Sequence, residues 1–257
     1  MKFTFLGTGT SQGTPVIACQ CPVCKSNDQR DKRLRAAALI EHNGITIAID
    51  AGPDFRQQML TANVRSLEAI LITHEHRDHI AGLDEVRAYN WVHQKPMDIW
   101  AEQRVQESIK KEFHYIFEEN KYPGAPEITL NNIDSFPLEI CGIKIIPIRV
   151  YHNKIPIYGF RICDLTYITD ASFIAEEEKE KIVGTKYLIV NALRRQKHMS
   201  HYCLQEAVKL ISEISPRRGY ITHVSHQMGL YADILKDLPD NICLAYDGLS
   251  FEVDTNR

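Results

Sequence analysis

The sequence predicts a layered α/β protein whose sheets are antiparallel or mixed. Short runs rich in Ile, Val, Tyr and Phe recur along the chain, and turn residues such as Asn43-Gly44 and Asp247-Gly248 separate several of them. Segments with helical periodicity lie between these runs, and such an alternation is typical of sheets covered by helices. Because many runs follow one another after a short turn, hairpins are favoured over a doubly wound parallel sheet.

The predicted strands are enriched in the β-branched and aromatic residues that fit a pleated surface. In chain order they are Lys2–Leu6, Ala36–His42, Ile45–Ile49, Ala69–Thr73, Ile143–Val150, Gly159–Cys163, Tyr167–Thr169, Tyr187–Asn191, Gly219–Thr222, Ile242–Ala245 and Leu249–Val253.

Two longer segments carry apolar residues at spacings of three and four, so one face of each is predicted to be a buried helix face. They are Ala101–Glu119, with Val105, Ile109, Phe113 and Ile116, and Tyr202–Ile214, with Leu204, Val208 and Ile211. A further helix is predicted near Ala81–Ala88.

The segment Gly7–Gly13 follows the first predicted strand and contains three glycines. Its third glycine comes one position too late for the G-x-G-x-x-G pattern that binds dinucleotides, and Cys19 follows where that pattern requires a helix. We therefore expect a flexible loop here.

The composition is that of an ordinary globular chain. Hydrophobic residues make up 44% of the 257 residues and charged residues 25%, and a chain of this length can bury a sizeable core. The formal net charge of −3 disfavours an extended nucleic-acid interface but permits a local basic patch. No apolar run reaches the roughly 18 residues that span a bilayer, and the first residues lack a leader pattern. A cytoplasmic protein without membrane association is expected.

The segment Thr73–His79 places four candidate metal ligands within six positions, directly after an apolar strand. The four are His74, His76, Asp78 and His79. Imidazole and carboxylate together suit Zn²⁺, Mn²⁺ or Fe²⁺. The alternative is a solvated polar loop, but packing gives no reason for so many ligand types in one turn.

Three more candidate ligands, His152, Asp170 and His223, each follow a predicted strand. Taken singly, each has an ordinary structural explanation. Loops at strand ends are where a rigid sheet usually holds functional groups, so their shared position favours a common site with the Thr73–His79 motif.

Together these residues resemble the metallo-β-lactamase superfamily of binuclear metallohydrolases, and the resemblance runs from Gly7 to Gly248. It implies an αββα sandwich of two mixed sheets with helices on the outer faces. One metal would take His74, His76 and His152, the second would take Asp78, His79 and His223, and Asp170 would bridge both. Asp50 resembles the carboxylate that orients a ligand imidazole, although it is equally compatible with capping a turn.

Two metals at such a site explain the chemistry of the superfamily. Hydroxide held between two cations is a nucleophile at neutral pH, and the metals stabilise charge on the attacked centre and the leaving oxygen. Since the predicted ligands run from position 74 to 223, we expect one domain over residues 1–257.

A second metal site is predicted at Cys19, Cys21 and Cys24, because three thiols within six positions are too close for ordinary core packing. Tetrahedral zinc needs a fourth ligand, and His226, three residues after His223, is the best candidate. Free thiols or a redox pair are the alternative interpretation.

The cysteine triad with His223-x-x-His226 resembles the PhnP-like phosphoribosyl cyclic phosphodiesterases, in which this zinc is structural. The resemblance implies that His201 lies beside the metals and protonates the leaving alkoxide or stabilises the transition state, with Asp78 sharing its proton network. Arg194 and Arg195 precede His201 and either hold a phosphate or form a solvated charged face.

We therefore expect a metal-dependent hydrolase that opens a small, cyclic phosphate ester such as a phosphoribosyl cyclic phosphate. Three alternatives remain: a thioester or lactone hydrolase, a tRNA 3′-processing nuclease, and a cofactor-biosynthesis accessory protein without turnover. The expected cofactors are two active-site metals (Zn, Mn or Fe) and one structural zinc. The expected partner is a small phosphorylated substrate rather than nucleic acid, and a homodimer is compatible with the superfamily.

Overall fold

The computed structural model describes residues 1–255, and its strands form two sheets of seven. The first sheet has the order β14-β1-β2-β3-β4-β5-β6 with β1 (Lys2–Gly7), β2 (Ala37–His42), β3 (Ile45–Ile49), β4 (Ala69–Leu71), β5 (Met97–Ala101), β6 (Ile128–Asn132) and β14 (Ser250–Glu252). The second has the order β13-β12-β11-β10-β9-β8-β7 with β7 (Leu138–Ile140), β8 (Ile143–His152), β9 (Ile155–Ile162), β10 (Leu165–Tyr167), β11 (Tyr187–Asn191), β12 (Arg218–Thr222) and β13 (Ile242–Leu244).

Both sheets are mixed, and each changes from antiparallel to parallel pairing partway across. In the first sheet β14, β1, β2 and β3 pair antiparallel, whereas β3 to β6 pair parallel. In the second sheet β7 to β10 pair antiparallel, whereas β10 to β13 pair parallel. The prediction of mixed sheets is confirmed.

The helices are short and lie between strands. They are α1 (Pro22–Lys25), α2 (Phe55–Thr61), α3 (Arg77–Ile80), α4 (Arg87–His93), α5 (Gln103–Glu112), α6 (Glu176–Lys179), α7 (Leu204–Ile214) and α8 (Tyr231–Ile234).

Three apolar layers hold the elements together. Phe5 and Ile47 of the first sheet meet Phe160 of the second sheet in the central layer. A second layer packs α7 on the outer face of the second sheet, and a third packs α2 and α5 on the outer face of the first. Each fully buried aliphatic side chain in these layers contributes roughly 1.5–3 kcal/mol through removal from water. The predicted αββα sandwich is confirmed.

Several predicted elements have different bounds in the structure. The helix predicted over Ala101–Glu119 begins only at Gln103, because Ala101 ends β5, and it gives way to a 3-10 turn after Glu112. Its four predicted apolar positions are all buried, as expected from their spacing. The helix predicted near Ala81–Ala88 is a 3-10 turn over Leu83–Val86 that continues into α4.

Other elements were misplaced or absent from the prediction. The strand predicted at Tyr167–Thr169 is β10, two residues earlier, while β5, β6, β7 and α2 were not predicted. Strands of three to five residues with partly exposed positions have too short a pattern to stand out. The loop after β1 is not free, since Gly9 is paired with Arg35 and Val224.

No helix within residues 1–255 is long and apolar enough to cross a membrane.

Candidate metal centres

Thr73 and Asp50 orient the histidines of the loop after β4. Asp50 follows β3, and its carboxylate accepts hydrogen bonds from the Thr73 backbone N–H (2.8 Å) and hydroxyl (2.9 Å). It also accepts one from His79 Nδ1 at 2.7 Å. His74 Nδ1 lies 3.0 Å from the Thr73 hydroxyl. Because the Nδ1 atoms of His74 and His79 are engaged in these contacts, the lone pairs on their Nε2 atoms are available to bind a metal ion.

The three residues of the first predicted set are neighbours, although their ligand atoms are less tightly grouped than those of the second set. His74 Nε2 and His76 Nδ1 lie 3.0 Å apart, and the His152 ring centroid is 5.1 Å from that of His76. His152 ends β8 and donates from Nδ1 to the backbone carbonyl of Asp170 at 2.8 Å, which leaves its Nε2 free. Three imidazole nitrogens from two sheets are therefore available to one cation.

The second predicted set surrounds Asp170. His79 Nε2 lies 3.3 Å from Asp170 Oδ2, and His223 Nε2 lies 3.1 Å from Asp170 Oδ1. Asp78 Oδ2 lies 3.3 Å from His79 Nε2 and 3.9 Å from His223 Nε2. All four residues have ligand atoms within 4.8 Å of one another.

Asp170 lies between the second ligand set and His152 of the first. Besides the second set, its carboxylate has ligand atoms of His152 and His201 within 4.8 Å. Asp170 follows β10 in a left-handed backbone conformation (φ 58°), and its Oδ2 accepts a hydrogen bond from the Thr169 hydroxyl. A carboxylate in this position can bridge two cations.

Several histidine nitrogens of the site have no hydrogen-bond partner within residues 1–255, and this is what a site for divalent metals requires. His79 Nε2 and both ring nitrogens of His223 are buried and have no hydrogen-bond partner among the described residues. A buried polar atom without a partner is costly, whereas a metal ligand must keep its lone pair free. These histidines and Asp78 and Asp170 have the chemistry of a nitrogen–oxygen metal site.

The electrostatics of the site favour ionised carboxylates. Burial opposes the ionisation of Asp170, but His223 and His79 outweigh it and hold its pKa well below the usual value. Asp78 has a lowered pKa because His79 and His223 outweigh its burial in the same way. Burial opposes the protonation of His223, but Asp170 and Asp78 outweigh it and raise the pKa of His223 to about 9. The carboxylates are thus ready to bind cations.

His201 lies at the edge of this cluster, next to both sets. Its ring centroid is 4.6 Å from that of His152 and 4.9 Å from that of His223. Its Nδ1 lies 3.7 Å from Asp170 Oδ1 and has no hydrogen-bond partner among residues 1–255. Burial lowers the pKa of His201 to about 3, so the ring is neutral at pH 7.

The cysteine triad lies next to His226. The Sγ atoms of Cys19 and Cys21 each lie 3.4 Å from His226 Nδ1, and that of Cys24 lies 3.6 Å away. Tetrahedral zinc with Zn–S of about 2.3 Å and Zn–N of about 2.0–2.1 Å requires S···N separations of about 3.6 Å. The four side chains fit a closed zinc site.

The thiols of this site differ in acidity. The backbone N–H of Cys24 donates to the Cys21 sulfur, and this contact lowers the pKa of Cys21 to about 6. Burial raises the pKa of Cys24 to about 11. At neutral pH Cys21 is mostly a thiolate by itself, whereas Cys24 needs a cation to lose its proton.

Arg194 and Arg195 both have protein partners. Arg195 pairs with Asp237 at 2.6 Å and donates to the Met228 carbonyl. Arg194 donates to Gln227 and to the Lys197 carbonyl. Arg195 is therefore committed to a structural contact.

The structure also reveals contributors that the sequence patterns did not single out. The Thr73 hydroxyl links Asp50 to His74, and the Asn191 side chain bonds both the N–H and the carbonyl of Ala171, next to Asp170. Threonine and asparagine are not common ligands of transition metals. Their positions at the ends of strands were the only available signal.

The geometry has its counterpart in a known family. Residues 46–224 match the family described as the Beta-lactamase superfamily domain. The chain belongs to the metallo-β-lactamase superfamily, whose fold binds divalent metals for hydrolysis. All seven residues of the predicted binuclear site lie inside the matched range, whereas Cys19, Cys21, Cys24 and His226 lie outside it.

Within the superfamily the chain is similar to PhnP-like enzymes. A crystal structure of a new diphosphatase from the PhnP family is 33% identical, covers 99% of this chain and 98% of its own, and has a TM-score of 0.93. The Zn²⁺-bound PqqB of Methylobacterium extorquens has a TM-score of 0.82 at 18% identity, covering 98% of this chain and 100% of its own, and shows the shared fold.

A longer relative is also similar. The octanoyltransferase of Porphyromonas gingivalis (strain ATCC BAA-308 / W83) is 39% identical over 257 residues, which is 99% of this chain and 52% of the relative. The chain thus spans about half the length of the curated relatives it matches.

Proposed function

We propose that this chain hydrolyses a P–O bond in a small phosphorylated molecule, with a cyclic phosphodiester such as a phosphoribosyl cyclic phosphate as the preferred class. The observation that carries the proposal is the position of Asp170, which lies beside the second ligand set and beside His152 of the first, with the neutral His201 next to it. Such a site holds a phosphate ester between two cations and offers a hydrogen-bond donor at its edge.

The metals are assigned to residues as follows. His74, His76 and His152 would hold one cation, Asp78, His79 and His223 would hold the other, and Asp170 would contact both. When bound, the two cations supply Lewis acidity and a water of lowered pKa. Asp50 and Thr73 keep the Nε2 atoms of His79 and His74 directed at the cations.

His201 serves as a hydrogen-bond donor rather than a charged acid. Because burial keeps its ring neutral, it carries a single N–H that can donate to a phosphoryl oxygen as negative charge grows there.

The PhnP-family similarity supports phosphate chemistry, since the similar solved structure is described as a diphosphatase. Diphosphates and phosphodiesters share a tetrahedral phosphorus and an oxygen leaving group. The site requirements for the two classes are therefore the same, and substrate choice depends on what surrounds the metals.

The test is a substrate panel with Zn²⁺ and with Mn²⁺. Bis-p-nitrophenyl phosphate, a cyclic ribose phosphate and a nucleoside diphosphate are offered to fully metallated protein. We expect turnover of the diesters, and none in His76→Ala that retains wild-type circular dichroism. Absence of turnover of every phosphate ester and anhydride overturns the proposal, and full activity of His76→Ala overturns the site.

A thioester hydrolase is the second candidate, and the similarity to a protein named octanoyltransferase favours it. An acyl thioester has a carbonyl carbon that the same two cations can polarise. Octanoyl thioesters in the same assay distinguish the candidates, because turnover of these alone assigns the acyl activity.

We further propose that Cys19, Cys21, Cys24 and His226 hold a zinc that stabilises the fold without taking part in turnover. A small phosphorylated molecule remains the proposed partner, and residues 1–257 are proposed to act as one domain.

A further inference from the structure

Arg104 joins two segments that carry different members of the first ligand set. It is the second residue of α5, and its Nη1 group pairs with Glu75, which lies between His74 and His76 in the motif. Its Nη2 group donates to the backbone carbonyl of Pro156 on β9, 2.7 Å away. The same guanidinium therefore contacts both the motif loop and the second sheet.

Pro156 lies in the hairpin that carries His152. In the antiparallel pairing of β8 and β9, Pro156 stands opposite Tyr151, and the next pair is His152 with Ile155. A shift of this hairpin relative to the motif loop changes the distance between His152 and His76. Arg104 is placed to fix that distance.

A second ion pair supports Arg104 from the side. Arg104 Nη2 lies 3.7 Å from Glu102 Oε2, and Glu102 Oε1 lies 2.8 Å from Arg149 Nη2. The Arg149 guanidinium lies 3.8 Å from the ring centroid of Tyr158, across the same hairpin. Two carboxylates and two guanidiniums balance in charge, so the group forms a closed unit between α5 and the second sheet.

These charges are partly withdrawn from water. The Glu75 side chain is 21% exposed and that of Arg104 is 37% exposed. Glu75 Oε2, Glu102 Oε2 and Arg104 Nε are buried and have no hydrogen-bond partner within residues 1–255. Partly buried pairs resist screening by salt, and their geometry is more constrained than that of exposed pairs.

A neighbouring pair provides the natural comparison. Arg77 belongs to the same motif loop and pairs with Glu112, the last residue of α5. Its side chain is 72% exposed. This pair ties the loop to α5, which packs on the first sheet, and it has no role in joining the two sheets.

We propose that Arg104 is a positioning residue for the metal held by His74, His76 and His152, because it fixes the motif loop against the β8–β9 hairpin. The inference rests on the metal sets of the proposed function. It concerns binding of the metal and not the reaction.

The test is a Mn²⁺ titration of chelator-treated protein, followed by electron paramagnetic resonance. Wild-type protein is expected to bind two Mn²⁺ ions at these nitrogen–oxygen sites. In Arg104→Met, one of the two Mn²⁺ dissociation constants is expected to rise 10–100-fold, as is usual when the contacts that support a metal site are lost. The other dissociation constant is expected to stay within about twofold of the wild-type value. Arg77→Gln, the matched control on the same loop, keeps both values.

Any of three results overturns the inference. The first is Mn²⁺ binding by Arg104→Met with wild-type affinity, the second is a loss of Mn²⁺ affinity in Arg77→Gln as large as that in Arg104→Met, and the third is binding of fewer than two Mn²⁺ ions by the wild-type protein. Should Arg104→Met fail to fold, Arg104→Lys decides. An ammonium group keeps the charge but cannot bond Glu75 and the Pro156 carbonyl in the fork geometry, so the same weakening is expected. Wild-type affinity of folded Arg104→Lys also overturns the inference.

No substrate enters this measurement. A protein that binds two Mn²⁺ ions with the expected mutant pattern but hydrolyses no phosphate ester refutes the proposed function alone.

Discussion

Asp50 accepts a hydrogen bond from His79 Nδ1 at 2.7 Å, and both side chains are completely buried. The contact fixes the histidine tautomer, because a proton on Nδ1 leaves Nε2 as the lone-pair atom directed at Asp78 and Asp170. Asp50 also holds Thr73, whose hydroxyl contacts His74. One carboxylate therefore orients ligands of both predicted metals.

Asp50→Asn is expected to weaken metal binding without removing a ligand. An amide that presents its NH₂ group to His79 forces the proton onto Nε2 and blocks that ligand atom. We expect a 10–100-fold rise in the Mn²⁺ dissociation constant of the second set, measured by titration. Asp54→Asn is the control, because it removes the same negative charge from a carboxylate that pairs with Arg35 instead of a predicted ligand. Equal affinities in the two variants would contradict the assigned role of Asp50.

Gly52→Ala is expected to displace the metal-binding loop. A Cβ at Gly52 meets the backbone carbonyl oxygen of Asp78 at 2.0 Å, and a backbone atom cannot move aside as a flexible side chain can. The variant should lose about 1–3 kcal/mol of unfolding free energy and bind Mn²⁺ more weakly. Calorimetric unfolding and the titration measure the two effects.

Gly124→Ala is the control for Gly52→Ala. Its Cβ meets only the ring of Tyr122, an exposed side chain that can turn away. A Gly52→Ala protein as stable as Gly124→Ala would show that the close approach to Asp78 is not a constraint.

Different features of the sequence allow different parts of the candidate site to be predicted. Thr73–His79 carries its ligands within one turn, so the local pattern alone predicts a metal centre. His152, Asp170 and His223 are joined to it by their shared position after predicted strands, and only the family resemblance divides the ligands between two metals, because contacts across two sheets leave no trace in local spacing. The choice of His226, which lies beside Cys19 from 207 positions away, depends on counting zinc ligands rather than on periodicity.

The parts that sequence reasoning missed are short or ordinary in composition. Leu138–Ile140 forms β7 with only three residues, and its pairing with β8 stabilises it rather than its own propensity. Thr73 contacts the predicted ligand His74, Asn191 bonds the backbone of Ala171 next to Asp170, and such residue types occur throughout any chain. Arg104 reaches Glu75 from 29 positions away, so only the folded arrangement identifies the pair.

Removal of the proposed structural zinc is expected to lower stability. Mild chelation should extract two metals and leave one, and Cys21→Ser should abolish the retained equivalent. Because binding energy at such a site contributes directly to folding, the melting temperature of Cys21→Ser should fall well below that of the wild type. Metal analysis and calorimetry provide the readouts.

Cys141→Ser is the matched change for Cys21→Ser, since Cys141 is an exposed thiol in a turn. It should keep the zinc and the wild-type melting temperature. Retention of three metals by Cys21→Ser would rule out the closed zinc site.

Asp247 is expected to make stability fall with rising pH. Its carboxylate accepts hydrogen bonds from Thr8 (2.7 Å) and the Leu34 N–H (2.6 Å), yet burial raises its pKa to about 6. An unfolded carboxyl titrates near 3.9. Between about pH 4 and 6 the native chain therefore binds a proton that the unfolded chain has released, so the unfolding free energy decreases as pH rises through this window.

Asp247→Asn removes this titration, and its unfolding free energy relative to the wild type should rise by up to about 3 kcal/mol between pH 4 and 6.5. Urea unfolding at several pH values measures the difference, in which the titration of the shared histidines cancels. Asp240→Asn, which makes the same change at an exposed carboxylate, is the control. If Asp247→Asn behaves as Asp240→Asn does, the buried carboxyl is ionised throughout this range, and the desolvation cost is offset by its hydrogen bonds to Thr8 and Leu34.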